Sequence, residues 1–370
     1  MPRIVDAAEQ PRRSFALDSD VVTAEILAES VQRELSARQA VLESLAESPR
    51  LRQLIDDARR LTDAELFDRC DRAARESGTD SPADDPYDWM NGVVRAAQQH
   101  LESEGRTVDE SWFITDVDGR QIFRLPPKDS GHKTTLGRSF HWRDYYHGLG
   151  RELPPETPRD SVSIRTQPGI SFPFRSRATE QFMIAIAAPV RGEDGQQVIG
   201  VVARTIGLPQ LLRQWEVEMH LNGGTVPPRT ELHNRFLALA DTRGGYASLL
   251  DHPWMTHARL ENMSDSEIDS PDSPLRIERD MAVTLTSQRK TDRYRDPIGA
   301  IDQDFQGDWL AAAAPVGRTG WLAIVQERRD ATVRPVDDLR RVFVNAGVWS
   351  VAIFSILLGL LWYLLRRAAT

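Results

Sequence analysis

Cysteine is almost absent: Cys70 stands alone in 370 residues. No intramolecular disulfide can form, and no zinc site built on several cysteines. This leaves the compartment open, because many exported bacterial domains also lack disulfides. A basic excess is missing as well. The formal net charge is −9, which argues against a protein that tracks nucleic-acid phosphates and reads most simply as solubility. Residues 1–20 lack the apolar core, roughly 7–15 residues long, of a secretory signal. Catalytic motifs are missing too. None of the eight histidines forms an i, i+4 metal pair with a glutamate, and His252 and His257 are five apart. There is no Gly-x-Ser-x-Gly elbow, no phosphate-binding Gly-x-x-x-x-Gly-Lys loop and no kinase motif set. Carboxylates are plentiful, but no spacing singles out a pair. These absences predict a protein that is not an enzyme and carries no cofactor.

What is present begins with one long apolar run. Val342 to Leu365 is 24 residues without a charge, with Asn345 its only strongly polar side chain. At 1.5 Å per residue it extends roughly 36 Å, enough to span a bilayer core of about 30 Å. Trp349, Trp362 and Tyr363 are candidate interface aromatics, and Arg366-Arg367 closes the span. The alternative, a buried core helix, is disfavoured by the lack of any polar face. Membrane lipid is therefore an expected partner. Arg328, Arg329, Arg334, Arg340 and Arg341 precede the span and by charge alone would keep the N-terminal side inside. Long domains translocate largely regardless of such charge, so orientation stays open.

The rest of the chain is ordinary globular material, 40% hydrophobic and 27% charged, and long enough for two or three compact units. From Asp20 the pattern is helical, with Leu27, Val31, Leu35, Leu42 and Leu45 on one face and Asp20 or Thr23 as a cap. Ser48-Pro49 interrupts it, because the residue before proline is biased out of the α region. Helical stretches are predicted again over 51–70 and 89–104. Ser111 to Leu125 reads as a hairpin turning at Asp118-Gly119. The Asp116-x-Asp118-Gly119 run fails the calcium-loop pattern and is taken as a turn. Phe182–Val190 and Val198–Ile206 are strands joined by the turn 192–195, and 208–215 is a short linking helix. Phe236–Asp241, Trp309–Val316 and Trp321–Gln326 are further strands, and 261–280 is a polar loop. Ala188-Pro189-Val190 and Ala314-Pro315-Val316 mark equivalent places in an internal repeat of a PAS-like unit.

Between the first hairpin and the second strand pair lies Gly137-Arg-Ser-Phe-His-Trp-Arg-Asp-Tyr-Tyr146. It packs Phe140, Trp142, Tyr145 and Tyr146 around Arg143. Arginine offers a planar fork of donors to a carboxylate or phosphate, and aromatic neighbours support it and exclude water. A structural role remains the alternative for each: Arg143 paired with Asp144 or another buried acid, Tyr145 and Tyr146 as core.

This "G-x-x-F-x-x-R-D-Y-Y" segment, set after a strand–turn–strand, resembles the membrane-distal module of double Cache sensor domains. The resemblance covers about residues 20–365 and is most specific over 137–146 and 170–206. Stretches such as Phe172-Pro-Phe-Arg-Ser and Tyr294-Arg-Asp-Pro297 are also similar to sensor regions attached to bacterial serine/threonine kinases. It implies an α/β (α+β) fold: a disordered leader over 1–19, a long N-terminal helical region over 20–76, a membrane-distal module over 77–215, a membrane-proximal module over 216–338, both with antiparallel sheets, and the transmembrane helix over 342–365. It implies a single-pass protein of the cell membrane, its sensor domain extracytoplasmic, that binds a small-molecule ligand and signals to a kinase or other effector absent from this chain; a homodimer is open. An export signal would then have to lie upstream of Met1 or on a partner; the other expectation is a tail-anchored protein facing the cytoplasm.

In amino-acid-binding members of that family the arginine and a following aromatic hold the ligand carboxylate. Here Arg143, Tyr145 and Tyr146 match. Arg138 stands where a tyrosine is expected and Ser176 where an aspartate would hold the ligand amine. The ligand-binding set is thus expected to be Arg143, Tyr145, Tyr146, Trp142, Arg138 and Ser176, and the ligand an organic anion, with Arg175 and Arg177 adding positive charge. The alternative is an anchored interaction or scaffold protein on a degenerate sensor fold.

Overall fold

The computed structural model describes residues 2–76, 85–128, 133–212, 215, 234–243, 246–263, 267–268 and 272–329. A 45-residue helix α1 (Pro2–Ala46) opens the chain. Residues 2–19, expected as a disordered leader, lie within it, and so do Asp20 and Thr23, expected as caps. Thr23 Oγ1 instead donates to the Ser19 carbonyl (3.0 Å) and the Asp20 carboxylate accepts from Arg235 (2.8 Å). The break at Ser48-Pro49 falls as predicted. Ser48 is extended, with ψ 128°, and α2 (Pro49–Ala58) starts on the proline, whose missing N–H costs nothing at a helix start. Helices α3 (Asp63–Glu76) and α4 (Pro86–Ser103) follow.

Strands β1 (Ser111–Asp116) and β2 (Gln121–Leu125) form the first hairpin. The Asp116 carboxylate accepts from the backbone N–H groups of Asp118 and Arg120, both at 2.9 Å, so it serves the turn. A four-residue helix α5 (Asp144–His147) precedes short strands β3 (Gly169–Ile170) and β4 (Phe174–Arg175). Long strands β5 (Phe182–Arg191) and β6 (Val198–Gly207) complete the first sheet, and α6 (Leu208–Leu211) leads out of it. The second half runs β7 (Arg235–Asp241), β8 (Ala247–Asp251), α7 (His257–Glu261), β9 (Arg276–Ile277), α8 (Arg279–Gln288), β10 (Lys290–Tyr294), β11 (Trp309–Val316) and β12 (Trp321–Arg328).

Both sheets are antiparallel. The first has the order β2-β1-β6-β5-β3, with β4 also on β5; the second has β10-β11-β12-β7-β8-β9. Read from β8, the second sheet repeats the first, with β9 added at its edge. The two Ala-Pro-Val runs sit in β5 and β11, the equivalent strands. Pro189 pairs Val201 and Pro315 pairs Leu322, each beyond the reach of the strand on its other side, so neither proline interrupts a ladder.

Each sheet is covered on both faces, which is why β5 reads as an unbroken apolar run. Ile184, Ile186, Ala188 and Val190 face the helices, packed with Leu27, Val31, Leu35 and Leu42 of α1; Leu237, Leu239, Trp321, Ala323 and Val325 of the second sheet join the same core. One helix face therefore seals both sheets. Met183, Ala185 and Ala187 point the other way, into the aromatic layer of the 137–146 segment. Among the described residues no helix is long and apolar enough to cross a membrane; the run 342–365 lies outside them.

Candidate functional site

The 137–146 segment lies along β2. Gly137 N–H donates to the Gln121 carbonyl (2.8 Å), Gln121 N–H to the Arg138 carbonyl (2.9 Å), and Phe140 N–H to the Gly119 carbonyl (2.8 Å). Gly137 has φ +81°, and a Cβ there would run into the Asp63 carboxylate, so the start of the segment favours glycine. Asp144 ties the segment to the far side of the sheet: its carboxylate accepts from Gly150 N–H (2.7 Å) and Phe172 N–H (2.6 Å). His147 is buried beside it. Leu149 N–H donates to His147 Nδ1 (3.1 Å) and Nε2 faces the Trp142 carbonyl (3.1 Å), while burial lowers its pKa. The ring is thus neutral and structural.

Arg143 is buried between the rings of Trp142 and Phe174, its guanidinium carbon 4.1 and 4.8 Å from their centroids. Its Nη1 donates to Glu152 Oε2 (2.8 Å) and its Nη2 to the Arg175 carbonyl (2.8 Å). The other oxygen of Glu152 accepts from Asp144 N–H (3.0 Å). Burial pushes the Glu152 carboxyl up to about 7 against the pull of Arg143 and these hydrogen bonds. Tyr145 stacks edge-on with Phe113 and Phe174, at 4.8 and 5.5 Å between centroids. Burial raises its phenol pKa, so it stays a hydrogen-bond donor.

Between this segment and the sheet lies a cavity of about 40 Å³. Arg143, Tyr145 and Ser176 line it, together with Phe140, Phe174, Arg177 and Ala178. The sheet contributes Ser111, Phe113, Gln121, Arg124, Met183 and Thr205, and Thr135 closes one side. Among these lining residues three are arginines and none is acidic. Hydroxyls are paired within the wall: Ser111 with Thr205 at 2.9 Å, and Thr135 donating to the Gln121 amide oxygen.

The structure thus brings Arg143, Tyr145 and Ser176 to one cavity, with Trp142 behind Arg143. It does not bring Tyr146, whose hydroxyl donates to the Val117 carbonyl (2.5 Å) on the far side of the segment. Arg138 is exposed and off the cavity wall. Arg175 turns its guanidinium to the second half of the chain, donating to the carbonyls of Leu260 and Met263. The acid expected at Arg143 as a structural partner is Glu152, not Asp144. Arg124 was not foreseen. A charged residue inside the run Ile122-Phe123-Arg124-Leu125 was the available signal, since arginine is almost never fully buried unless it is paired. Among the described residues no group of three or more His, Cys, Asp and Glu side chains could hold a metal ion.

No family model matches this chain, and no curated protein does. Solved structures do. The ligand-binding domain of the Pseudomonas aeruginosa PAO1 amino acid chemoreceptor PctB, in complex with L-Arg, is 17% identical, covers 88% of this chain and 92% of its own, and has a TM-score of 0.45. The ligand-binding domain of the Pseudomonas fluorescens chemoreceptor CtaA, in complex with L-isoleucine, is 14% identical over 89% and 97%, with a TM-score of 0.47. The sensor domain of the V. cholerae histidine kinase DctB is 13% identical over 88% and 98%, with a TM-score of 0.44. These structural neighbours are ligand-binding or sensor domains of two chemoreceptors and a histidine kinase.

Proposed function

We propose that this chain is the sensor domain of a signalling receptor and binds a small organic anion in the cavity beneath the 137–146 segment. One observation carries the reading: the cavity is walled by arginines, hydroxyls and aromatic rings, and no acidic residue lines it. A ligand ammonium would meet no carboxylate there, whereas an anion would meet cations in a site of low effective dielectric. Ser176, where an aspartate would have been needed for an amine, spends its hydroxyl accepting from the backbone of Ala178 and Thr179, both at 3.2 Å. Anchoring through 342–365 and signalling to an effector outside this chain complete the proposal, and the chemistry is binding rather than catalysis.

The test is a thermal-shift screen of the chain against organic acids, amino acids and amines. A ligand at 100 times its dissociation constant adds about 2.7 kcal/mol. Stabilisation by acids and not by amines supports the reading, and the reverse order sinks it. Orientation is tested by labelling cysteines introduced on the surface. Cys70 adds little background, because it is buried and burial pushes its thiol up to about 12.

The second reading, an interaction module on a sensor-like fold, is favoured by the size of the cavity, about 40 Å³, room for little more than water without side-chain movement. A silent screen on folded protein selects it.

A further inference from the structure

A second cavity, of about 50 Å³, lies where the two halves of the chain meet. Phe172, Pro173 and Phe182 close it from the first half, and Leu249, Met255 and Leu260 from the second. Phe182 packs against the helix-side core and against the core of the second sheet alike. Among the described residues that line the cavity there is no lysine, arginine or histidine, and the one acid is already matched. Asp241 accepts from Arg243 Nη2 (2.6 Å), Arg243 Nε (3.1 Å) and the Arg243 backbone N–H (2.9 Å). Tyr246 and Ser248 supply the hydroxyls of the wall. An apolar cavity of this kind stays dry when empty, and its lining atoms then lack van der Waals partners. An ion would gain nothing there to offset its lost hydration.

The strip 172–176 is the partition between the two cavities. Phe172 and Pro173 line this one, and Phe174 and Ser176 line the first. The strip is pinned from both sides. Arg175 lies over the Phe182 ring, 4.8 Å from its centroid, and donates to the carbonyls of Leu260 and Met263. On the other side the Arg175 carbonyl accepts from Arg143, and Asp144 holds the Phe172 N–H.

We infer that the junction cavity is a second binding site, for a small uncharged molecule with an apolar body and at most one hydroxyl, and that its occupant bears on the strip that walls the first cavity. The inference does not depend on what the first cavity holds. An engineered apolar cavity of ~150 Å³ takes benzene, so about 50 Å³ takes a few heavy atoms as it stands. Met255 sets the upper limit. Its unbranched thioether side chain, buried on the wall, is the one that repacks around a larger ring.

The experiment uses the full chain in detergent and two pairs of probes, butan-1-ol against sodium butyrate and phenol against sodium benzoate. Amide exchange is followed by mass spectrometry, and folding by circular dichroism. Strand β8 is the place to watch, since none of its residues lines the first cavity. At about ten times its dissociation constant a bound probe slows exchange about tenfold through openings that release it. Butan-1-ol or phenol is expected to slow exchange over 247–251 and 172–176 together, and the charged partner to leave 247–251 unchanged. Leu249→Phe fills the cavity and is expected to abolish the slowing while the fold is kept. Slowing that persists in this variant places the probe elsewhere, the micelle included, and overturns the inference. Equal protection of 247–251 by the charged probes overturns it as well, and so does folded wild type that no probe protects. Slowing confined to 247–251 refutes the shared wall. Should Leu249→Phe fail to fold, Leu249→Ala decides: the enlarged cavity is expected to bind phenol at least about fivefold tighter, and wild-type affinity refutes the site.

Discussion

Arg204 of β6 grips Asp109 through two nitrogens, Nε at 2.9 Å and Nη2 at 2.5 Å, in a setting where both side chains are almost wholly buried. The same carboxylate accepts from Arg38 of α1 and from Trp112 Nε1 (2.8 Å), and Glu34 of α1 completes the cluster by pairing with Arg38 (2.6 Å) and Arg106. Asp109 therefore joins the long helix to the strand that carries Thr205 at the cavity. Asp109→Ala removes the acid from the buried Arg204 guanidinium and one of the two acids at Arg38, and is expected to cost about 3–5 kcal/mol. Urea unfolding checks it; a loss under about 1 kcal/mol would mean that water replaces the carboxylate.

Gly137→Ala is expected to destabilise by about 1–3 kcal/mol, from the left-handed backbone and from the collision with Asp63. The two parts separate in a cycle with Asp63→Ala. Removing the carboxylate relieves the collision, while about 1–2 kcal/mol of backbone cost persists. Full additivity of the two substitutions would show that the contact does not matter.

Glu152 predicts a pH dependence of definite sign. Its folded pKa, about 7, lies above the ordinary carboxylate value near 4.3. The folded state therefore binds more protons than the unfolded state between those values. Stability falls as pH rises from about 4.3 to 7 and is flat beyond. Asp20, pushed up to about 6 by burial, adds a slope of the same sign below that pH. Glu152→Gln should flatten the melting-temperature profile between pH 5 and 7. An identical slope in wild type and variant would refute the assignment.

Arg243 crosses between the two halves of the chain. It is paired with Asp241 (2.6 Å) and donates to the carbonyls of Ile170 and Ser171, both at 3.0 Å. Arg243→Ala is expected to cost about 1.5–3 kcal/mol and to speed amide exchange over 169–172, next to the Phe172 N–H that Asp144 holds. Unaltered exchange there would separate this contact from the ordering of the site.

Local signals were legible. The apolar stripe of α1, the proline break at 49, the Asp118-Gly119 turn and the paired Ala-Pro-Val strands each depend on residues a few positions apart, and each is found where it was expected. Arg143 and Tyr145 of the motif and Ser176 of the 170–206 stretch line one cavity. What stayed hidden depends on separations that periodicity does not encode. Glu152 reaches Arg143 from nine positions further along, beyond α5, and nothing in its own neighbourhood distinguishes it from other surface acids. Tyr145 and Tyr146 are adjacent, and only the turn of α5 decides that one faces the cavity and the other Val117. Helix α8, inside the second half, buries Leu285 alone among its described residues, too little apolar pattern to announce a helix. The N-terminal extension of α1 was hidden as well, because Pro11 lies inside it, where a proline ordinarily breaks a helix.

Because one face of α1 packs on both sheets, the two repeats share a core on that side, while each keeps its own on the other. A cut between them, after β6 or before β7, leaves each with a wall of leucines facing water. Any chimera that exchanges ligand specificity between proteins of this build has to carry the helix across with both sheets, or exchange only the wall of the cavity.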